Sequence, residues 1–154
     1  MSRPNTILFL CTGNYYRSRF AEVYFNELTS RAGLDWSADS RALKISAGRN
    51  VGPMSVAAIK RLRGQGIHLQ PDIRFPQPLH EADLQSASLI IGLKEAEHRP
   101  MLEKMFPRRT QAVEFWHVHD VDQATAEESL GEIEGHVEQL IKRLQLPEAS
   151  GDNP

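Results

Sequence analysis

The chain has 154 residues, with 18 Lys and Arg, 20 Asp and Glu, a formal net charge of −2 and one cysteine. This length suits one domain with a sizeable core, and the 40% apolar content is typical of globular proteins. The charge balance excludes broad electrostatic capture of nucleic acid or of an anionic membrane. A single cysteine excludes an internal disulfide and most cysteine-based metal sites, so we expect no metal and no cofactor.

Apolar runs and helical periodicity divide the chain into alternating strands and helices. The apolar run 7–10 is too short for a signal peptide, and no stretch is long enough to span a membrane, so we expect a cytoplasmic protein. One domain over residues 1–146 and a polar, flexible tail over 147–154 are predicted. The predicted strands are 6–10, 43–46, 88–93 and 112–118, and the predicted helices are 18–32, 54–65, 80–87, 94–105 (with an interruption at Pro100) and 126–146.

The alternation of these elements predicts an α/β fold of the three-layer, doubly wound, flavodoxin-like type. Its sheet has four parallel strands joined by right-handed crossovers. Ligands of such folds bind beyond the carboxyl ends of the strands, at the point where the strand order reverses. The loops in which we expect functional residues are therefore 11–17, 47–53, 93–94 and 119–124.

The segment between the first predicted strand and helix has the spacing of an oxyanion site. Backbone N–H groups of such a loop can turn inward as an anion nest, and the helix N-terminus adds positive potential. Arg17 can bind two phosphate oxygens, and the same field favours the reactive thiolate of Cys11. Gly13 and Asn14 suit a tightly curled backbone, and Ser18 can hydrogen-bond the sulfur. The alternative is a buried structural cysteine beside an unrelated arginine.

The run CTGNYYRSRFAEVYF resembles the signature of the low-molecular-weight protein tyrosine phosphatases, close to C-x-G-N-x-C-R-S-P followed by an A-E-x-x-F helix. The resemblance continues in order along the chain. Residues 45–48 resemble the family's second strand, 57–67 its second helix, 82–93 its E-D-x-x-x-x-D-x-I-x-x-M segment and 115–120 the approach to its acid loop. It implies a phosphatase that hydrolyses phosphotyrosine-like aryl phosphate monoesters through a phosphocysteine, with a phosphorylated protein or small aryl phosphate as substrate and inorganic phosphate as product.

The resemblance also assigns roles to individual residues. It implies that Cys11 is the nucleophile, that Arg17 binds the transition state, and that Asp120 protonates the leaving phenolate and then activates water. Asp122 is the alternative acid, and either aspartate could instead cap the last helix. Ser46 would brace the loop through hydrogen bonds. The implied phosphate-loop residues are Thr12, Gly13, Asn14, Tyr15, Tyr16 and Ser18.

Four departures from the family pattern leave its nucleophilic half intact and alter its leaving-group half. Tyr16 replaces the usual second cysteine, and Arg19 replaces the proline after the serine, where it could attract an anionic substrate. Val121 replaces the proline after the acid, with no aromatic residue beyond it, and Lys94 stands where the family commonly has M-D. The altered acid loop keeps open a phosphate-binding pseudo-phosphatase that recognises a phosphorylated partner without cleaving it.

The two adjacent tyrosines bear on the substrate. Tyr15 and Tyr16 could both stack on a phosphotyrosine ring, or one could pack against the first helix while the other reaches the pocket. The family's phosphoarginine enzymes favour threonine at the position of Tyr15, which argues against that substrate. An arsenate reductase of the thioredoxin-coupled type would need further cysteines. His117 and His119 have no third ligand at credible spacing, so we interpret them as surface or acid-loop residues.

Overall fold

A computed structural model of the chain describes residues 5–45, 50–120 and 125–146. Within these ranges, parallel strands alternate with helices along the chain. The strands are β1 (Asn5–Cys11), β2 (Trp36–Ala42), β3 (Leu89–Gly92) and β4 (Val113–Phe115). The helices are α1 (Arg17–Ala32), α2 (Val56–Gly64), α3 (Glu81–Ser86), α4 (Glu95–Met105) and α5 (Ala126–Gln145), and a short 3-10 turn, Thr110–Ala112, precedes β4.

The sheet has the order β2-β1-β3-β4 with every neighbouring pair parallel, which confirms the predicted four-stranded sheet. Successive side chains of a strand point to opposite faces. Ile7 and Phe9 of β1 therefore pack with α1, α2 and α5, whereas Leu8 and Leu10 pack with buried residues of α3 and α4. The result is the predicted three-layer, doubly wound arrangement. Its strand order reverses between β1 and β3, so a ligand site is expected at their carboxyl ends.

The second strand lies earlier in the chain than the sequence predicts. The prediction of a strand at 43–46 is wrong for residues 43–45, because β2 is Trp36–Ala42. Residues 46–48 of the segment 45–48, which resembles the family's second strand, lie outside the described residues. β2 is the edge strand beside β1 in the sheet order, and its last residue, Ala42, also bridges to Pro78. The strand is half-buried, and its sequence WSADSRA has no apolar run. Leu43 follows β2 and is buried in the cluster of Leu8 and Leu10. Its N–H continues the pairing and donates to the carbonyl of Cys11 at 2.9 Å.

Smaller differences concern proline and element ends. Pro100 lies inside α4 without interrupting it, because a helix can continue past one missing N–H when tertiary contacts hold its flanks. β4 covers only part of the predicted 112–118. Helix α1 ends at residue 32 as predicted, and Gly33 after it takes the left-handed conformation with φ 69°. The predicted flexible tail 147–154 lies outside the described residues, and none of the described helices has an apolar stretch that would cross a bilayer.

Candidate active site

The loop after β1 lies at the point where the strand order reverses, and it forms one wall of a pocket of about 240 Å³. This volume is below the ~300–1,000 Å³ of pockets for drug-sized ligands, so it suits a single side chain and its phosphate. Segment 50–57 and Asp120 complete the walls. The lining residues are Cys11, Gly13, Tyr15, Tyr16, Arg17, Asn50, Ser55, Ala57 and Asp120.

Asn14 is the buried centre of the loop. Its backbone takes the left-handed conformation with φ 52°, which asparagine tolerates better than most residues, as the sequence predicted. Its Oδ1 accepts hydrogen bonds from Arg74 Nη1 at 3.0 Å and from the N–H of Gln77 at 3.1 Å. Two donors on one atom identify it as the oxygen, so Nδ2 donates to Ser40 Oγ at 2.8 Å and to Ser18 Oγ at 2.9 Å.

These bonds have a defined direction as far as Ser18, whose hydroxyl lies next to the Cys11 sulfur. Ser40 donates its single hydroxyl hydrogen to Glu22 Oε1 at 2.6 Å, so it can only accept from Asn14. Ser18 likewise accepts from Asn14, and its Oγ lies 3.0 Å from Cys11 Sγ. The hydroxyl hydrogen of Ser18 is therefore available to the sulfur. An O–H donor aimed at the sulfur stabilises a thiolate.

Arg74 supports this chain of hydrogen bonds at the end away from Cys11. Its Nη2, which carries two hydrogens, lies within hydrogen-bond distance of four acceptors: Ser40 O at 2.9 Å, Asp39 Oδ1 at 3.1 Å, Ser40 Oγ at 3.1 Å and Glu22 Oε1 at 3.2 Å. Burial raises the pKa of Glu22, while the hydrogen bond from Ser40 and the charge of Arg74 act in the opposite direction. The arginine thus contacts the Asn14 amide at its oxygen and also holds Ser40, one of the two acceptors of the amide N–H groups.

Arg17 is almost fully buried and is held end-on by a carboxylate. Nη1 and Nη2 donate to the two oxygens of Glu97 at 3.1 and 2.9 Å, and Nη1 also donates to the carbonyl of Val118 at 3.0 Å. Nη2 lies 3.4 Å from Asp120 Oδ2, whose side chain is 41% exposed. The guanidinium therefore lies between one carboxylate behind the loop and a second one at the pocket.

Glu97 on α4 collects further donors. The hydroxyl of Thr12 donates to Glu97 Oε2, and His98 Nε2 lies 3.2 Å from the same oxygen. Burial opposes ionisation of Glu97, but the bonds from His98, Arg17 and Thr12 outweigh it and hold its pKa well below the usual range. Because its hydroxyl points to Glu97 and not into the pocket, Thr12 can meet a bound anion only through its backbone N–H.

Two residues of the signature segment tie the loop to the rim segment 50–55. Tyr15 donates its phenolic hydrogen to the carbonyl of Val51 at 2.6 Å and accepts at its own carbonyl from the N–H of Ser55 at 3.0 Å. Arg19 is 3% exposed and donates to the carbonyl of Pro53 at 3.1 Å. The expectation that Arg19 attracts substrate is wrong, because the residue is buried and acts as a tether.

Tyr16 and Gly13 also depart in part from expectation. Tyr16 is 8% exposed, burial raises its pKa, and its hydroxyl donates to the carbonyl of Ala126 at the start of α5 at 3.1 Å. Tyr15 is the more exposed of the two, so it is better placed to meet a substrate ring. The left-handed backbone of the loop occurs at Asn14 and not at Gly13, and a Cβ on Gly13 would meet only the amide of Asn50, at 3.5 Å.

The structure brings Cys11, Arg17 and Asp120 to one pocket, with the other predicted loop residues around or beneath it. Ser46 and Asp122 lie outside the described residues. Within the described ranges, His, Cys, Asp and Glu form no group of three or more suited to a metal ion. Sequence reasoning missed the supporting residues Glu22, Ser40, Arg74, Glu97 and His98.

One sequence signal could have found part of this set. Helix α4 follows β3, whose carboxyl end adjoins that of β1, so a carboxylate in its first turn lies next to the loop. Glu97 is at this place in the sequence. Arg74, in a proline-rich loop far along the chain, carries no such signal.

Comparisons with known proteins agree with this geometry. The family model described as low molecular weight phosphotyrosine protein phosphatase matches residues 6–148. A Bacillus subtilis protein-arginine-phosphatase is 28% identical over 102 residues, which cover 66% of this chain and 63% of that relative. The match thus spans less than two thirds of the relative's length.

Solved structures show the same fold. YfkJ from Bacillus subtilis has a TM-score of 0.79 and 26% identity, over 94% of this chain and 96% of that one. The low molecular weight protein tyrosine phosphatase from T. tengcongensis has a TM-score of 0.76 and 24% identity, over 90% and 99% of the two chains. The family model covers nearly the whole chain, and the cysteine, the arginine and their loop occupy the predicted place. The chain therefore belongs to the low molecular weight phosphotyrosine protein phosphatase family.

Proposed function

We propose that this chain, through the region 1–146, hydrolyses phosphotyrosine-like aryl phosphate monoesters through a phosphocysteine intermediate. The observation that carries the proposal is the set of groups that meet in the pocket. Cys11 Sγ lies 3.0 Å from a serine hydroxyl, in a pocket that Arg17 and Asp120 also line. A nucleophile, a cation for the phosphoryl oxygens and a carboxyl group for the leaving atom are thus in one place.

The first half of the reaction transfers phosphate to the sulfur. The Cys11 thiolate attacks phosphorus, and the bond from phosphorus to the phenolic oxygen breaks. Backbone N–H groups of residues 12–17 and the Arg17 guanidinium bind the three equatorial oxygens. Asp120, as the acid, gives its proton to the departing phenolate, so that the leaving group departs as a neutral phenol.

The second half releases phosphate. A water molecule attacks phosphorus and gives a proton to the Asp120 carboxylate, while the sulfur–phosphorus bond breaks and its electrons return to Cys11 as the thiolate. The hydroxyl of Ser18, which lies within hydrogen-bond distance of the sulfur, stabilises that leaving thiolate. Inorganic phosphate is the product.

The aryl preference rests on the walls of the pocket. Tyr15, Tyr16 and Ala57 give it apolar and aromatic surface, and Asn50 and Ser55 add neutral polar groups. An aromatic ring packs well against tyrosine in an offset or edge-on arrangement. A phosphorylated tyrosine of a protein therefore suits these walls.

Phosphoarginine is the second candidate, because a relative at 28% identity is a protein-arginine-phosphatase. Its guanidinium group is cationic and would need acidic partners. Among the residues that line this pocket, Asp120 is the acidic one, and Arg17 already contacts it at 3.4 Å. This arrangement favours the neutral ring over the cation.

The test compares two peptides of identical flanking sequence, one with phosphotyrosine and one with phosphoarginine, by release of inorganic phosphate. We expect a kcat/KM at least about 10-fold higher for phosphotyrosine. The reverse order would move the assignment to phosphoarginine. Binding of both peptides without release of phosphate from either would instead identify a pseudo-phosphatase.

A further inference from the structure

Arg17 meets Glu97 with only one edge of its guanidinium. Of the five N–H donors of this group, both on Nη1 are used, one by Glu97 and one by the carbonyl of Val118. One donor on Nη2 is used by Glu97, and the other faces Asp120 at 3.4 Å. Nε makes none of these contacts. The edge formed by Nε and the outer hydrogen of Nη2 is therefore the one that neither Glu97 nor Val118 binds, and a bound oxyanion would share this edge with Asp120.

The carboxylate that holds the opposite edge is surrounded by donors. His98 is fully buried, and its Nδ1 accepts from the N–H of Lys94 at 3.0 Å, so Nε2 carries the ring hydrogen. That hydrogen points at Thr12 Oγ1, 3.1 Å away, and at Glu97 Oε2, 3.2 Å away. Glu97 thus receives two bonds from Arg17, one from Thr12 and a contact from the N–H of His98. Only an ionised carboxylate can accept from all of them.

We propose that Glu97 is the positioning residue for Arg17. It binds the end of the guanidinium formed by Nη1 and Nη2 and so turns the Nε and Nη2 edge toward the phosphate loop. The inference rests on the proposed function and adds a residue to it. The placement of the charge supports it, since Glu97 lies in the first turn of α4 and its carboxylate is 2.9 Å from Arg17 Nη2.

The test is Glu97→Gln, assayed by hydrolysis of p-nitrophenyl phosphate and by calorimetric binding of inorganic phosphate. Glutamine keeps the shape but offers one acceptor oxygen, and its own N–H groups face the donors of Arg17 and Thr12. We expect kcat/KM to fall by about 100-fold or more and phosphate affinity to fall by about 10-fold.

The matched control is Glu95→Gln on the same helix. Glu95 pairs with Arg99 at 2.7 Å, and both side chains are exposed, so this variant should match the wild type within about 2-fold. Glu97→Asp keeps the charge on a shorter stem, and we expect it to recover part of the phosphate affinity. It also serves as the second variant if Glu97→Gln does not fold.

A purely structural role for Glu97 would lower the melting temperature but leave kcat, KM and phosphate affinity of the folded protein unchanged, and that result would overturn the proposal. Equal phosphate affinity in Glu97→Gln and wild type would overturn it as well. A wild type that binds phosphate but does not hydrolyse the ester would refute the proposed function, while the calorimetric comparison would still decide the role of Glu97.

Discussion

The two ends of the phosphate loop are supported by different chemistry. At the Cys11 end, neutral groups form a directed chain through Ser18 and Asn14, and charge enters only at its far end. At the Arg17 end, a buried guanidinium is held by the carboxylate of Glu97. The sulfur end thus controls where one hydrogen points, and the arginine end controls the orientation of a planar cation.

This difference follows from what each end must do. A full positive charge fixed on the sulfur would stabilise the thiolate as a leaving group but weaken it as a nucleophile, whereas one hydroxyl hydrogen can follow the charge as it changes. The arginine must keep one orientation throughout, since its positive charge is needed in every step. A charged pair with bidentate geometry provides that rigidity.

Cys11→Ser has the largest expected effect, because it removes the nucleophilic sulfur on which the whole reaction depends. Hydrolysis of p-nitrophenyl phosphate should fall to the uncatalysed background, since a serine hydroxyl is not ionised at neutral pH. Phosphate should bind at least as tightly as to the wild type, because the variant has no thiolate charge. Residual turnover above the background would remove Cys11 from the mechanism.

Arg17→Lys breaks the ionic end alone. Lysine cannot bind Glu97 and a phosphoryl group at the same time with two parallel bonds, so kcat/KM should fall by about 10³-fold. Arg31→Lys is the control on the same helix, where the arginine pairs with Glu27 at 2.7 Å and is 56% exposed. Steady-state kinetics of both variants decide the point. A loss below about 10-fold in Arg17→Lys would show that charge alone suffices there.

Ser18→Ala breaks the neutral end. The variant lacks the hydrogen that reaches Cys11 Sγ, and a hydrogen bond to a charged group contributes roughly 1.5–3 kcal/mol, so kcat should fall by about 10- to 100-fold. Alkylation of the thiol by iodoacetamide at pH 7 should also slow. Ser37→Ala on β2 is the control at an exposed serine. An unchanged alkylation rate in Ser18→Ala would show that the hydroxyl does not stabilise the thiolate.

The sequence predicted the residues of the loop better than the residues that support them, for physical reasons. Cys11, Asn14, Arg17 and Ser18 are adjacent in the chain, so their spacing between a strand and a helix was enough to place them. The partners that hold them come from distant segments and act through bonds that only the folded chain forms, as Arg74 does with Asn14. No local pattern encodes such a pairing.

The fold shows the same division between local and long-range information. The buried strands β1 and β3 have apolar runs and were predicted within one or two residues. The edge strand β2 was placed too late, because its half-buried sequence lacks that signal and the apolar Leu43 drew the prediction past its end. The supporting residue Ser40 lies on β2, and it was missed together with the strand.

Arg74→Gln is a milder break of the neutral end. The variant leaves Asn14, Ser40 and Ser18 in place but removes the donors that fix the Asn14 amide, so we expect kcat to fall by about 3- to 10-fold, with a lower melting temperature. The control is Arg109→Gln, whose ion pair with Glu81 at 3.1 Å is on the surface. Equal kcat in Arg74→Gln and wild type would limit the arginine to a stabilising role.

The smallest effect concerns pH and the ionic end. Burial lowers the pKa of His98 below its unfolded value of about 6.5, with the charge of Arg17 acting in the same direction and Glu97 opposing. As pH falls from about 7 to 5, the unfolded chain therefore binds a proton at residue 98 that the folded chain does not, and stability decreases. His98→Asn should show a smaller loss of melting temperature over this range than the wild type, whereas the control His68→Asn, at an exposed site, should follow the wild type. Parallel slopes for His98→Asn and wild type would show that the pKa of His98 does not differ between the folded and unfolded states.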